Sequence, residues 1–175
     1  MNLAIFGRNA LVCGASKGLG RACAFSLARE GATVTMVARG AEALEAAAEK
    51  IRRDTGARVM TVPADITTSE GRAAVLAVCG ALDTRKTVAH NVTINNLLPG
   101  PFETDRLLET ARLWSRQSGK SEDVVLAERR ASNPAGRFGT PSEFGDACAY
   151  FCNAQAGFIT GQNLLLDGGN YPGTF

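Results

Sequence analysis

Apolar positions along this chain fall into short blocks that alternate between two spacings. Ala10-Leu11-Val12-Cys13 is an unbroken apolar run ending in a glycine cluster, which suits a buried strand. From 18 to 30 the spacing turns helical, with Ala24, Leu27 and Ala28 on one side and Gly31 as the stop. Thr33-Val34-Thr35-Met36-Val37-Ala38 is β-branched and apolar, a second strand. Residues 41–55 place Leu44, Ala48 and Ile51 in one stripe before Gly56 ends the helix. A third strand over 58–63 and a third helix over 69–79 follow. This βαβαβ order predicts the mononucleotide-binding half of a doubly wound, parallel α/β sheet with right-handed crossovers.

The second half reads differently. Residues 81–90 look like the end of a helix, and 92–98 form a strand broken by Pro99-Gly100-Pro101. The polar stretch 104–130 predicts two short helices around Gly119. Thr140-Pro141-Ser142-Glu143 opens a helix to about 153, with a capping residue, proline first and glutamate three after the cap. Residues 163–167 are a last strand, closed by Gly168-Gly169. There are no repeats or low-complexity linkers, so 1–175 is expected to be one domain, with halves 1–80 and 81–175.

Composition adds exclusions. The chain is 45% hydrophobic and 21% charged, the balance of a folded protein rather than a disordered one. No apolar run approaches the roughly 20 residues that cross a bilayer. A net charge of +2 is too small to argue for nucleic acid or an acidic membrane as partner. Residues 1–8 lack a basic leader followed by a long apolar stretch, so the cytoplasm is the expected compartment. Cys13, Cys23, Cys79, Cys148 and Cys152 are scattered, with no CxxC pair. One histidine, His90, cannot complete a zinc site, so no metal is expected. Cys148 and Cys152, four apart, would share a helix face and read as core packing before a redox pair.

Candidate chemistry sits in the loop Gly14-Ala15-Ser16-Lys17-Gly18-Leu19-Gly20, between the first strand and first helix. A diphosphate needs backbone N–H groups at close range and the positive end of a helix dipole behind them. Glycines at the turn, at the approach and at the helix–sheet contact allow this. The strand–loop–helix context turns a weak motif into a dinucleotide site. At the end of the second strand, nineteen residues beyond Gly20, stands Arg39 where an NAD binder carries an acid for the ribose hydroxyls. Arginine there suits a 2′-phosphate, with Lys17 as a second cation, so NADP(H) is the expected cofactor.

These residues resemble the short-chain dehydrogenase/reductase family, most closely its 3-oxoacyl-acyl-carrier-protein reductase-like branch. The glycine loop matches at Gly14, Gly18 and Gly20, with Cys13 in place of the family's preceding threonine. Asp65-Ile66 resembles the adenine-contacting pair. Asn95-Asn96 leading into Pro99-Gly100-Pro101-Phe102-Glu103-Thr104 resembles the segment bordering the nicotinamide, with Thr104 on its amide. Gly136 to Glu143 and Ile159 to Gly169 match the C-terminal third. The resemblance implies a Rossmann-type fold and a cofactor site of Gly14, Ser16, Lys17, Gly18, Leu19, Gly20, Arg39, Asp65, Ile66, Pro99, Gly100, Phe102 and Thr104. It also implies hydride transfer to or from a small carbonyl or alcohol, 3-oxoacyl thioesters on an acyl carrier included, and a homo-oligomer, tetramer or dimer.

One departure outweighs the matches. Family members carry two further central strands, a catalytic serine and Tyr-x-x-x-Lys before the strand that leads to Pro99. Here Val78-Cys79-Gly80 passes directly to Ala81-Leu82-Asp83, and neither Tyr150 nor Tyr171 has a lysine four residues on. No catalytic residue is therefore assigned: the acid that protonates the carbonyl oxygen is missing. Without those strands, the first strand and the one before Pro99 would stand about 14 Å apart, three spacings of roughly 4.8 Å. Several unpaired backbone groups at about 1–3 kcal/mol each would strain a net stability of about 5–15 kcal/mol. Either the two strands close up and pair directly, or the whole protein has a segment between Gly80 and Ala81. The resumption of matches at Ala81 favours the segment.

Residues 101–135 would form the family's lid over substrate. Leu107, Leu108, Leu113 and Trp114 offer apolar area for it, although ordinary helix packing explains them as well. Arg112, Arg116, Lys120, Arg129 and Arg130 suit an anionic carrier or a solvated face. The competing reading is a nucleotide-binding or interaction protein that transfers no hydride.

Overall fold

The computed structural model describes residues 3–79 and 93–173. The first half alternates strand and helix: β1 (Asn9–Cys13), α1 (Gly18–Arg29), β2 (Thr33–Ala38), α2 (Ala41–Thr55), β3 (Val59–Pro63) and α3 (Ser69–Cys79). The second runs β4 (Asn96–Pro99), α4 (Asp105–Ser118), α5 (Glu122–Ser132), α6 (Pro141–Phe151), a 3-10 turn (Ala154–Ala156) and β5 (Asn163–Leu166). The expected helix end at 81–90, His90 and the Gly80–Ala81 junction lie outside the described residues.

The sheet is parallel throughout, as the alternation requires. β2 lies between β1 and β3, with Val12 opposite Met36 and Met36 opposite Thr61. β4 pairs with β5, Leu97 opposite Leu164. Among the described residues these are two separate sheets, and β1 and β4 do not pair with each other.

Helices close one face. Leu44, Ala48 and Ile51 of α2 and Ala24, Leu27 and Ala28 of α1 are buried against Val34 and Met36, and Ala149 of α6 joins the same core. Val37, Val62 and Val75 form a smaller cluster under α3 on the other face. The apolar run 10–13 suggested a buried strand, yet Leu11 and Val12 are half-buried and Cys13 exposed. The cause is position: no strand pairs along β1's outer edge in the described residues, whereas β2 is flanked on both sides.

α1 and α6 hold the two sheets together. Gly145 lets the helices approach until an added Cβ would stand 2.5 Å from the Ala22 carbonyl oxygen. Ser26 Oγ donates to Asp146 Oδ1 at 2.7 Å, and Arg29 reaches the same oxygen at 3.1 Å. The capping box of α6 forms as its sequence predicts: Thr140 Oγ1 accepts from the Glu143 N–H, and the Thr140 N–H donates to the Glu143 carboxylate at 2.7 Å.

Among the described residues β4 starts at Asn96, later than the expected strand 92–98, of which residue 92 lies outside them. Just before it Ile94 O still accepts from the Gly161 N–H at 2.7 Å, while Asn95 bonds through its side chain, donating to Ile159 O at 2.8 Å and accepting from Gln162 N–H at 3.1 Å. Gly119, in the left-handed region at φ 71°, separates α4 from α5 as predicted.

Candidate functional site

The C-terminal ends of β1, β2 and β3 open on a cleft of about 750 Å³. Gly14 leaves β1 at φ 68° and Gly18 enters α1 at φ 58°, both conformations that a side chain disfavours. Between them Ala15 is buried, its N–H donating to Val37 O at 3.1 Å, so the loop is pinned to β2. Gly20 lies so close to the Gly14 carbonyl that no Cβ could be accommodated. The helix therefore starts directly at the cleft wall.

That helix start is electrostatically open. Lys17 is the N-cap, but its side chain accepts no hydrogen bond from α1, and the first turn holds no acid. By contrast Thr104, Ser121 and Thr140 cap α4, α5 and α6 with their own oxygens. The N–H groups at the start of α1 thus keep their capacity for an external anion, with the helix dipole behind them. Lys17 and Arg39, both exposed, line the same cleft. No acid stands at the end of β2, where Arg39 and Gly40 follow Ala38.

The wall after β3 is built by Asp65. Its Oδ1 accepts from Thr67 N–H at 3.0 Å and from Thr67 Oγ1 at 2.7 Å. These two bonds, with a smaller effect from the Arg39 charge, hold its carboxyl below the ordinary aspartate range. Asp65 therefore shapes the turn into α3 as well as facing the cleft. Gly71 supports it, since a Cβ there would collide with the Asp65 carbonyl.

A second cavity of about 510 Å³ adjoins the first, and Leu19, Thr104 and Arg106 line both. Pro99, Gly100 and Phe102 lie in this second space. Its floor is fixed by Phe102 edge-on to Phe144 at 5.4 Å and by Asn133 Nδ2 donating to Asp167 O at 2.8 Å. Thr104 caps α4 through Leu107 N–H, and its methyl comes within 3.9 Å of the Cβ position of Gly18.

All thirteen predicted residues thus line one or other of two contiguous spaces: ten the cleft, and Pro99, Gly100 and Phe102 the cavity beside it. Of the apolar lid residues, Leu107 lines the second cavity, while Leu113 and Trp114 do not. Arg129 lines it too, with its guanidinium 4.0 Å above the Trp114 ring. Sequence reasoning missed Thr67 and Arg106. The signal for Arg106 was a cation two residues after Thr104, in the first turn of a helix whose start faces the glycine loop. Neither tyrosine lines either space.

Comparison with known proteins agrees with this geometry. The profile described as short chain dehydrogenase matches residues 8–83, and that described as Enoyl-(Acyl carrier protein) reductase matches 72–170. The 17-beta-hydroxysteroid dehydrogenase type 3 of Rattus norvegicus is 35% identical over 119 residues, 68% of this chain and 35% of that protein. The 3-oxoacyl-[acyl-carrier-protein] reductase FabG of Vibrio cholerae is 32% identical over 87 residues, 50% of this chain and 31% of its own length. The chain spans about a third of the length of the curated relatives it matches. Among solved structures, L-sorbose reductase from Gluconobacter frateurii, complexed with NADPH and L-sorbose, superposes with a TM-score of 0.90 at 20% identity. That superposition covers 99% of this chain and 100% of the other.

Proposed function

Because the chain belongs to the short-chain dehydrogenase/reductase family, we propose that it forms the NADP(H)-holding part of an oxidoreductase acting on a carbonyl or alcohol substrate. The observation that carries this reading is the uncapped start of α1, opening on a cleft that Lys17 and Arg39 line. The N–H groups at the start of α1 would take the diphosphate, and Arg39 with Lys17 the 2′-phosphate. Asp65 and Ile66 would border the adenine. Pro99, Gly100, Phe102 and Thr104 would border the nicotinamide, whose bound form supplies or receives the hydride. The NADPH in the L-sorbose reductase structure supports the same cofactor choice.

Substrate would occupy the second cavity, where Leu107 and Phe102 offer apolar contact and Arg106 and Arg129 positive charge. A 3-oxoacyl thioester suits that combination, and the likeness to the Vibrio reductase supports it. The reading extends to one domain, since α1 and α6 pack directly, and to a homo-oligomer, since Tyr150 and Phe158 expose apolar surface near the end of α6. The cytoplasm is the compartment proposed. Among the described residues no helix is long and apolar enough to cross a membrane.

A second reading is favoured by one specific observation. The proton for a carbonyl oxygen needs a positioned acid, and no tyrosine lines either space. On this reading the chain by itself binds the dinucleotide and transfers no hydride. Titration with NADPH, followed by addition of a small diketone or acetoacetyl thioester, separates the two. With the intact natural protein, saturable binding with consumption of NADPH supports the first reading, and saturable binding without it the second. No binding overturns both.

A further inference from the structure

The cations of α4 and α5 are of two kinds. Arg112, Lys120 and Arg130 each hold a carboxylate, from Glu122, Glu128 and Glu103 in turn. Arg106 and Arg129 hold none among the described residues, and these two line the second cavity. Among the described residues no acid lines that cavity. Three of its other polar side chains are spent on the backbone. Thr110 Oγ1 donates to Arg106 O at 2.8 Å, Ser132 Oγ to Arg129 O at 3.0 Å and Asn133 Nδ2 to Asp167 O at 2.8 Å. Two guanidinium groups thus set the charge that the cavity presents, and no carboxylate inside it offsets them.

The cavity has two distinguishable ends. Leu19, Thr104 and Arg106 are shared with the cleft and mark the end beside the nucleotide. Arg129 and Ser132 are shared instead with a third space of about 340 Å³, which Trp114 also lines. No residue lines both that space and the cleft, so Arg129 marks the far end. Arg129 is half-buried, with the Trp114 ring against its guanidinium at 4.0 Å. Guanidinium N–H groups lie in the plane of the group, so a ring on one face leaves the donor edge open. That edge matches the two oxygens of a carboxylate.

Resting on the reading of the cleft as a nucleotide site, we infer that the second cavity takes an oxo acid whose carboxylate binds Arg129 and whose carbonyl lies at the Thr104 end. Phe102 and Leu107 supply the apolar wall for the hydrocarbon between the two groups. Arg106, at the border with the cleft, adds to the positive potential that draws an acid in. Trp114 is a positioning residue, acting only through Arg129. The inference narrows the carbonyl substrates proposed above to those that bring an anion of their own, and a neutral thioester is the competitor it excludes.

The test is a calorimetric titration of the intact natural protein saturated with NADP+, which cannot reduce a carbonyl and so leaves binding free of turnover. Levulinate is the probe. Methyl levulinate and the N-acetylcysteamine thioester of acetoacetate are its neutral counterparts. Levulinate should bind roughly tenfold tighter than either, the worth of one charge-assisted hydrogen bond, and its advantage should shrink as salt rises. Arg129→Gln should remove the preference. Trp114→Leu should weaken levulinate binding, and Trp114→Phe, which keeps a ring face for the guanidinium, should restore it; full binding by Trp114→Leu would overturn the part given to Trp114. Equal affinity for acid and neutral compounds in the wild type, or a preference that survives Arg129→Gln, would overturn the proposal. Should Arg129→Gln fail to fold, the wild-type preference and its salt dependence decide it. NADP+ is titrated first. Binding of NADP+ without any preference for the acid overturns this proposal and leaves the cleft reading standing. Failure to bind NADP+ overturns the cleft reading, and the proposal with it.

Discussion

Replacing Arg39 tests how this chain would choose its nucleotide. Arg39 is exposed at the mouth of the cleft; no acid follows Ala38 at the end of β2, and Asp65, after β3, lies within reach of its charge. Two unit charges about 4 Å apart attract by about 4 kcal/mol at an effective dielectric near 20. Solvent at an exposed site reduces this to roughly 1.5–3 kcal/mol for a charge-assisted hydrogen bond. At about 1.4 kcal/mol per decade, Arg39→Ala should weaken NADPH binding by roughly 10–150-fold. NADH, which lacks the 2′-phosphate, should be left within about twofold of its wild-type affinity on the same account. Arg39→Asp should go further, repelling the 2′-phosphate and offering the ribose hydroxyls a carboxylate, so that preference turns toward NADH. Nucleotide fluorescence titrations at two salt concentrations would measure all six affinities, and the NADPH term should shrink as salt rises. An NADPH-to-NADH ratio that stays constant across wild type and both variants would refute the role given to this side chain.

Other consequences follow from close contacts and from the Arg137–Glu143 pair. Gly20→Ala drives a Cβ into the Gly14 carbonyl, so it should cost about 1–3 kcal/mol in urea unfolding and abolish NADPH titration. Retained binding would mean that α1 does not need to start at the cleft wall. Arg137 grips Glu143 through two nitrogens at 2.7 and 2.9 Å, and with Thr140 N–H it holds the carboxyl at about 2 instead of 4.5. The folded value lies below the unfolded one. The pair's stabilisation is therefore complete above about 4.5 and lost as pH falls toward 2. Glu143→Gln should flatten the acid limb of the stability curve in that window, and an unaltered limb would contradict the assignment.

The local punctuation of this chain was easy to read. Gly31 and Gly56 stop helices at positive φ, and the Thr140–Glu143 box opens α6 where its residue types say it should. β2, α2 and α3 begin and end where alternation and periodicity place them. What stayed hidden is tertiary. The exposure of β1 depends on which strand lies beside it, and no property of residues 10–13 records a neighbour. α1 meets α6 because Gly145 admits the Ala22 carbonyl, a contact between helices far apart in sequence. That the glycine loop and Arg39 line the cleft was legible because they directly follow the ends of β1 and β2. Arg106 was not, because its place depends on how α4 is set against α1.

The most direct measurement is a titration of the isotopically labelled chain with NADPH, followed residue by residue by amide NMR. The account predicts saturable shifts centred on Gly14, Ser16, Lys17, Gly18, Leu19 and Gly20, with Arg39 and Asp65 moving at the same concentrations. Saturation with those amides unmoved, or no saturable shift at all, would contradict it.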